Sequence, residues 1–344
     1  MLRRQDVGHR VVVRRIVGVS QNRTLYTDAL GELVELTETD LTIATDKGTV
    51  RVPLREVHRA KRVPAARRPP AADVIALELA ANEAWPAPVQ SRLGSWVLRA
   101  AGNWTGRANS ALAAGDPDRP LEAAVDAVVQ WYSAHGQRPL INAPMPLAAP
   151  VNAALDARGW GARPLTLVQT ATLAPLVAAL APRSDLPPAE LADSPSDDWY
   201  AMVAEHKGTL PPDAVRILTG PAEVVFAHLH DTDGALIAVA RGAVTGPDRW
   251  LGVSLLQTAP PARRRGLAQH VLRALAQWGA QHGSARAYLQ VEERNTGAVT
   301  LYGRVGFTTH HTYLTREAPE GQRRTILRGR ARRVSAYALS ERDR

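Results

Sequence analysis

The feature that most constrains this chain is a match of the sequence to itself. Gln130-Trp131, followed by His135-Gly136, recurs as Gln277-Trp278 and His282-Gly283, and Gly159-Trp160 recurs as Gly306-Phe307, all at one common offset without a gap. Chance likeness between two α/β segments is the alternative, but anchors at one offset favour an internal repeat, and so two units of like geometry. In the second copy, an apolar run from Trp250 to Leu256 reads as a buried strand that Pro260 and Pro261 stop. From Leu267 the apolar positions Val271, Leu272, Leu275 and Trp278 follow helical spacing. The loop between strand and helix holds three arginines and a glycine.

Such a junction suits a diphosphate, because a helix N-terminus presents unpaired amide N–H groups and the positive end of the macrodipole. Gly266 would admit the ligand close to the backbone, and Arg263, Arg264 and Arg265 would add charge. A solvated surface turn is the bland alternative. At the repeat offset Asp116 stands opposite Arg263, Arg119 opposite Gly266 and Leu155 opposite Tyr302. The first copy therefore lacks the loop, and residues 73 to 175 are expected to support the fold or shape a substrate cleft without binding cofactor.

Arg263-x-x-Gly266-x-Ala268, with Pro260 upstream, resembles the phosphate-loop signature of the GCN5-related N-acetyltransferases, the GNAT superfamily. Leu289-Gln-Val-Glu-Glu-Arg-Asn295, then Ala298, Leu301-Tyr302 and Gly306-Phe307, resembles the downstream strand, helix and turn of that family. The two matches together cover residues 250–307. They imply an α/β (α+β) tandem GNAT fold with mixed central sheets flanked by helices, similar to tandem members with one degenerate half, such as the mycothiol synthase type. An actinobacterial group with a small N-terminal barrel before such a tandem is also similar.

The resemblance implies acetyl-CoA as co-substrate. Leu256, Gln257 and Thr258 would pair with the pantetheine arm through their main chain, and Arg263, Arg264, Arg265, Gly266, Leu267 and Ala268 would hold the pyrophosphate. Asn295 and Tyr302 take positions beside the cofactor, with Tyr302 as the acid that protonates the thiolate; a core tyrosine is the alternative. The base departs from better-known members, since Gly252 and Gln290 stand where those carry glutamate. Glu292, His228 and His230 remain as candidates. His228 and His230 could instead bind metal, but no third ligand is placed beside them and no metal is expected. His310 and His311 alternate along a strand, which argues against a shared site.

The remaining sequence divides by composition. Residues 1–64 alternate short β-rich runs (11–16, 25–29, 31–35, 41–44 and 50–53) with turns such as Asp46-Lys-Gly48, and read as a small SH3/Tudor-like β-barrel with Val12, Ile43, Val50, Val52 and Val57 in its core. Residues 65–72 form a Pro-rich linker, 73–180 a degenerate GNAT-like half beginning with a helix capped by Asp73, 181–197 a second linker, and 198–318 the acetyl-CoA-binding domain. Residues 319–344, with eight arginines against three acids, form a basic tail read as disordered or as a polyanion contact. No cysteine occurs among the 344 residues, which excludes disulfides and thiolate chemistry. No apolar run is long enough to span a membrane, so a cytoplasmic protein is expected. The net charge of +9 leaves nucleic acid as a weighed partner, although coding bias toward arginine accounts for it equally well. The leading function is acetyl transfer to a small-molecule or peptide amine; the alternative is a non-catalytic acyl-CoA sensor whose barrel engages a protein or nucleic acid. Oligomeric state is left open.

Overall fold

The computed structural model describes residues 2–20, 23–45, 48–63 and 69–319. The expected turn residues Asp46 and Lys47, half of the first linker and all but the first residue of the basic tail lie outside them. The chain divides into two compact units, Met1–Arg68 and Pro69–Arg344.

The first unit is a small all-β domain. Strands β1 (Arg10–Ser20), β2 (Arg23–Leu36), β3 (Asp40–Thr45), β4 (Gly48–Pro53) and β5 (Val57–Arg62) form an antiparallel sheet in the order β4-β3-β2-β1-β5. The runs expected separately at 25–29 and 31–35 are one strand, because Gly31 marks a close approach and not a turn: a Cβ there would lie 2.1 Å from the Ala44 carbonyl oxygen. Val11, Val13, Leu33, Leu41, Ile43 and Val52 form the core. Val12, expected inside, is only half-buried, since alternation turns it away from Val11 and Val13; Val50 and Val57 pack at the core's margin.

The second unit continues through α1 (Ala71–Glu83), β6 (Val89–Leu93), β7 (Trp96–Ala100), β8 (Ala111–Leu112), α2 (Leu121–Ala134), β9 (Leu140–Met145), α3 (Ala149–Ala157), β10 (Gly161–Ala162), β11 (Thr166–Thr172) and α4 (Leu173–Ala179). The second copy follows with β12 (Glu190–Ala192), α5 (Asp197–Lys207), α6 (Pro212–Thr219), β13 (Val224–His230), β14 (Leu236–Thr245), β15 (Trp250–Thr258), α7 (Leu267–Gln281), β16 (Arg286–Glu292), α8 (Thr296–Arg304) and β17 (Thr308–Glu317). Helix α1 starts two residues before Asp73, with Pro70 at its N-cap, so Asp73 sits in the first turn and favours the macrodipole from there.

The repeat is visible at atomic detail. His135 Nδ1 lies 2.8 Å from the Trp131 carbonyl and His282 Nδ1 2.8 Å from that of Trp278, each imidazole lying against its tryptophan at the end of α2 or α7. Both helices stop on glycines at positive φ, Gly136 at 66° and Gly283 at 78°.

What periodicity does not show is that the copies exchange their last strands. The large sheet has twelve strands, eleven of them in the order β12-β13-β14-β15-β16-β11-β17-β9-β8-β7-β6. Strand β11, from the first copy, lies antiparallel to β16 of the second, and β17 lies antiparallel to β9 of the first. The core beneath β15 and β16 accordingly mixes Leu167, Ala171 and Leu176 with Leu251, Val271, Leu275 and Leu289.

Candidate active site

The site begins where two parallel strands part. Strands β15 and β16 pair at Leu251–Ala287, Gly252–Tyr288 and Val253–Leu289, and no further. Beyond Val253 strand β15 carries a bulge: Ser254 faces Arg241 and Gln257 faces Val239, so Leu255 and Leu256 together oppose Ala240, with Leu255 at a φ of 54°. A bulge bends its strand and leaves main-chain groups out of the ladder. Here it turns β15 away from β16 and opens a cleft of about 590 Å³ between them. Ser254 Oγ and Gln257 Oε1, both on cleft-lining residues, are buried without a partner. Leu256 and Gln257 line the cleft; Thr258, the last residue of β15, leads out of it toward the arginine loop.

That loop turns through Arg264 at φ 66° and Gly266 at φ 81° before α7 starts at Leu267, and the side chains of Arg263, Arg264 and Arg265 are exposed. Leu267 is buried beneath the first turn and Ala268 is half-buried. His270 N–H is already bonded to the Gly266 carbonyl, so the amides before it are the ones free of the helical ladder. A fourth arginine, not anticipated from sequence, joins them: Arg183 donates from Nη1 to the Arg265 carbonyl at 3.0 Å and is held by Asp185 at 2.6 and 2.7 Å. A Cβ on residue 266 would come within 2.5 Å of Arg183 Nη1, the movable end of a side chain, so glycine is favoured there mainly by its φ.

The two faces of β16 are distinct. Leu289 and Val291 pack into the core with Tyr302 and α7, whereas Gln290 alternates to the opposite face and accepts a hydrogen bond from the Tyr313 hydroxyl at 3.1 Å. Tyr302 lines the cleft from the helical side; burial pushes its phenol up to about 12, and its ring meets Phe307 edge-on. Asn295 lines the cleft as the N-cap of α8, its Oδ1 accepting from the Ala298 amide at 3.2 Å. Glu292 also lines the cleft, half-exposed and paired with Arg294 Nε at 2.6 Å. The place above Gly252, where some members carry glutamate, is filled: a Cβ there would lie 2.5 Å from the Tyr288 hydroxyl oxygen.

The histidine candidates are elsewhere. His228 is buried, accepts from the Ser196 amide at 3.3 Å and approaches the Phe226 carbonyl at 3.2 Å, and burial lowers its pKa. Its ring stacks parallel to that of His230, and neither lines the cleft. His310 and His311 do not point apart as simple alternation requires. The pairing of β17 with β11 slips at His310, and the two Nδ1 atoms come within 2.9 Å. His311 Nε2 then meets Glu78 Oε1 of α1 at 2.8 Å, both side chains being buried. Several groups that line the cleft carry no sequence signal, among them Trp85, Arg107, Arg163, Thr166 and His206. Most come from the first copy, Thr166 on the exchanged strand β11.

A family model described as "Probable histone acetyltransferase Rv0428c C-terminal" matches residues 71–315. The chain belongs to this acetyltransferase family. It is 30% identical over 305 residues to the protein named "Probable histone acetyltransferase Rv0428c" of Mycobacterium tuberculosis, covering 83% of this chain and 87% of that one. It is 26% identical over 255 residues to "Uncharacterized N-acetyltransferase YobR" of Bacillus subtilis, covering 71% and 99%. The solved structure of a GCN5-related N-acetyltransferase from Kribbella flavida superposes with a TM-score of 0.56 at 18% identity, over 74% of this chain and 98% of that one, and shares its fold. The protein is an N-acetyltransferase of the GNAT type.

In this acetyltransferase the junction of the first copy is closed by its own chain. Strands β8 and β9 pair in parallel as β15 and β16 do. The loop before α2, however, folds onto the β6–β7 turn, with Ser95 N–H bonded to the Asp116 carbonyl at 2.7 Å and Trp96 Nε1 to the Gly115 carbonyl at 3.0 Å. Leu155, opposite Tyr302 in the repeat, is fully buried in the core of its own half.

Proposed function

We propose that the protein transfers an acetyl group from acetyl-CoA to a primary amine by direct attack within the cleft between β15 and β16. The observation that carries this reading is the parting of those strands after Val253, which frees a stretch of main chain beside the buried, unpartnered Ser254 Oγ and Gln257 Oε1. An extended amide-bearing arm such as pantetheine fits that edge, with Leu256, Gln257 and Thr258 pairing to it. The pyrophosphate falls to the amides of Leu267 and Ala268, with Gly266 admitting it and Arg263, Arg264 and Arg265 adding charge.

The amine nitrogen bonds to the acetyl carbon, the carbon–sulfur bond breaks, the ammonium proton passes to a base and the thiolate takes a proton from an acid. Tyr302 is the acid, since a phenol raised to about 12 keeps its proton throughout the neutral range. Glu292, the carboxylate among the described cleft-lining residues, is the base, acting directly or through water, with Asn295 holding the turn between it and α8. His206, at the cleft margin, is the second group there able to take a proton. The name of the Mycobacterium tuberculosis relative places lysine side chains among the amines to be tried. Release of free thiol from acetyl-CoA with a panel of amino acids, polyamines, aminoglycosides and lysine peptides tests the reading; acetyl-CoA binding with no thiol release across the panel would refute it. Tyr302→Phe is expected to lower kcat by about 10²- to 10⁴-fold with little change in the acetyl-CoA KM.

A further inference from the structure

Arg107 differs from the other arginines that line the cleft. Arg163 is paired with Glu317 and Arg294 with Glu292. Among the described residues the Arg107 side chain meets no carboxylate and no acceptor, and its Nε is buried without a partner. The contrast with Arg241 is informative. Both guanidinium carbons lie 5.4 Å from the Trp85 ring centroid, but Arg241 donates to the carbonyls of Leu218 and Ala84, at 2.8 and 2.9 Å. Trp85 is itself fixed, stacked on Trp104 at 5.5 Å and donating from Nε1 to Thr105 Oγ1 at 3.1 Å. The platform beside Arg107 is therefore held by two partners, while nothing among the described residues fills the guanidinium fork.

Its position gives that group a role. Arg107 lines the cleft and its charge is felt at the Tyr313 phenol, whose hydroxyl is bonded to Gln290 on the face of β16 turned away from Tyr302. With Tyr302 as the acid, the thioester would lie on its side of β16 and the acceptor would approach from the Gln290 side. A planar guanidinium held over an aromatic ring at 5.4 Å offers a two-pronged donor matched to a carboxylate, and a charged donor left unpaired in a partly dry site is costly.

We propose that Arg107 anchors a carboxylate on the acceptor, which is a small amine that also carries an acid, such as an amino acid or amino-acid derivative. The inference rests on the acetyl-transfer reading and adds the substrate class to it. The carboxylate lies in the Arg107 fork and the amine is turned toward the parting of β15 and β16. A lysine-rich peptide would bring positive charge to a face whose one uncompensated charge is already positive.

The test uses the full chain with acetyl-CoA and matched pairs, each proteinogenic amino acid against its carboxamide, with a lysine-rich peptide as a third arm and thiol release as the readout. At least one acid should exceed its amide by about 10- to 100-fold in kcat/KM, mostly through KM, as a charged hydrogen-bonded pair predicts. Arg107→Ala should abolish that difference, and Arg107→Lys, which keeps the charge without the fork, should restore only part of it. Amides used as well as acids, preference for the peptide, or an acid-over-amide ratio that survives in either variant would overturn the proposal while leaving acetyl transfer standing. Acetyl-CoA binding by calorimetry with no thiol release from any arm would overturn the proposal, and the same silence from polyamines and aminoglycosides as well would overturn acetyl transfer too. Thermal melting of each variant separates loss of the anchor from loss of the fold.

Discussion

The two copies share a helix-ending geometry down to the hydrogen bond between a histidine and the tryptophan carbonyl one turn earlier, yet they differ at the loop that precedes that helix. In the second copy the loop reaches α7 through Gly266 and leaves the first amides of the helix open. In the first it reaches α2 through Pro120, and its Asp116 carbonyl is spent on Ser95. The lesson is that a shared scaffold does not fix the loop: the two helices start alike, with Ala124 N–H on the Pro120 carbonyl and His270 N–H on that of Gly266, but only the first loop folds onto a neighbouring turn. The first copy contributes in another way, by sending β11 beside β16 and by lining the cleft with Trp85, Arg107 and Arg163.

That interdependence can be broken experimentally. Residues 198–318 expressed alone would lack β11, the strand that lies between β16 and β17, exposing both their edges and the core that Leu167 and Ala171 of β11 cover. The fragment is expected to be unfolded or aggregated by circular dichroism and gel filtration, and a monomeric fragment that binds acetyl-CoA would show the exchange to be dispensable. Next in size is the tie between α1 and β17. Glu78→Ala leaves the buried His311 ring without its hydrogen-bond partner and should cost about 1–3 kcal/mol in chemical denaturation.

A paired substitution sharpens the contrast between the loops. Gly266→Ala puts a Cβ against Arg183 at a φ that costs an L-residue about 1–2 kcal/mol, and should raise the acetyl-CoA KM about tenfold or more. Asp118→Gly, at a positive φ in the corresponding loop of the first copy, should leave that KM as it was. The smallest effect concerns pH. Burial depresses His228, so the unfolded chain takes up the proton first; stability is full above pH about 6.5 and falls as the pH drops below it. His310 is shifted in the same direction by burial and by His311. His228→Gln should flatten part of the decline between denaturation curves taken on either side of that pH, and an unchanged slope would assign the decline to other groups.

Much of the second copy was legible because its signals are local. Prolines end β15, helical spacing sets α7, and Asn295 caps α8 one residue before it starts. The same locality explains the errors. Two short runs around Gly31 are one strand, since the reason for that glycine is the Ala44 carbonyl of another strand. Val12 was placed in the core although alternation with the inward-pointing Val11 and Val13 turns it out, and simple alternation failed at His310, where the slip in pairing comes from β11. Arg183 and Arg107 carry no pattern in their neighbourhoods; each matters only through a partner or a space brought from elsewhere in the chain.

The sequence by itself determined the repeat, the strand-loop-helix that favours an anion, and the asymmetry between the copies, because each depends on residues within a few positions of one another. Only the tertiary structure decided which strands lie side by side and therefore what lines the cleft. Hydrogen-bond ladders form between segments far apart in the chain, and neither periodicity nor capping records which edge a strand will choose. The exchange of β11 and β17, and the Arg107 guanidinium without a partner among the described residues at the cleft, belong to that second kind of information.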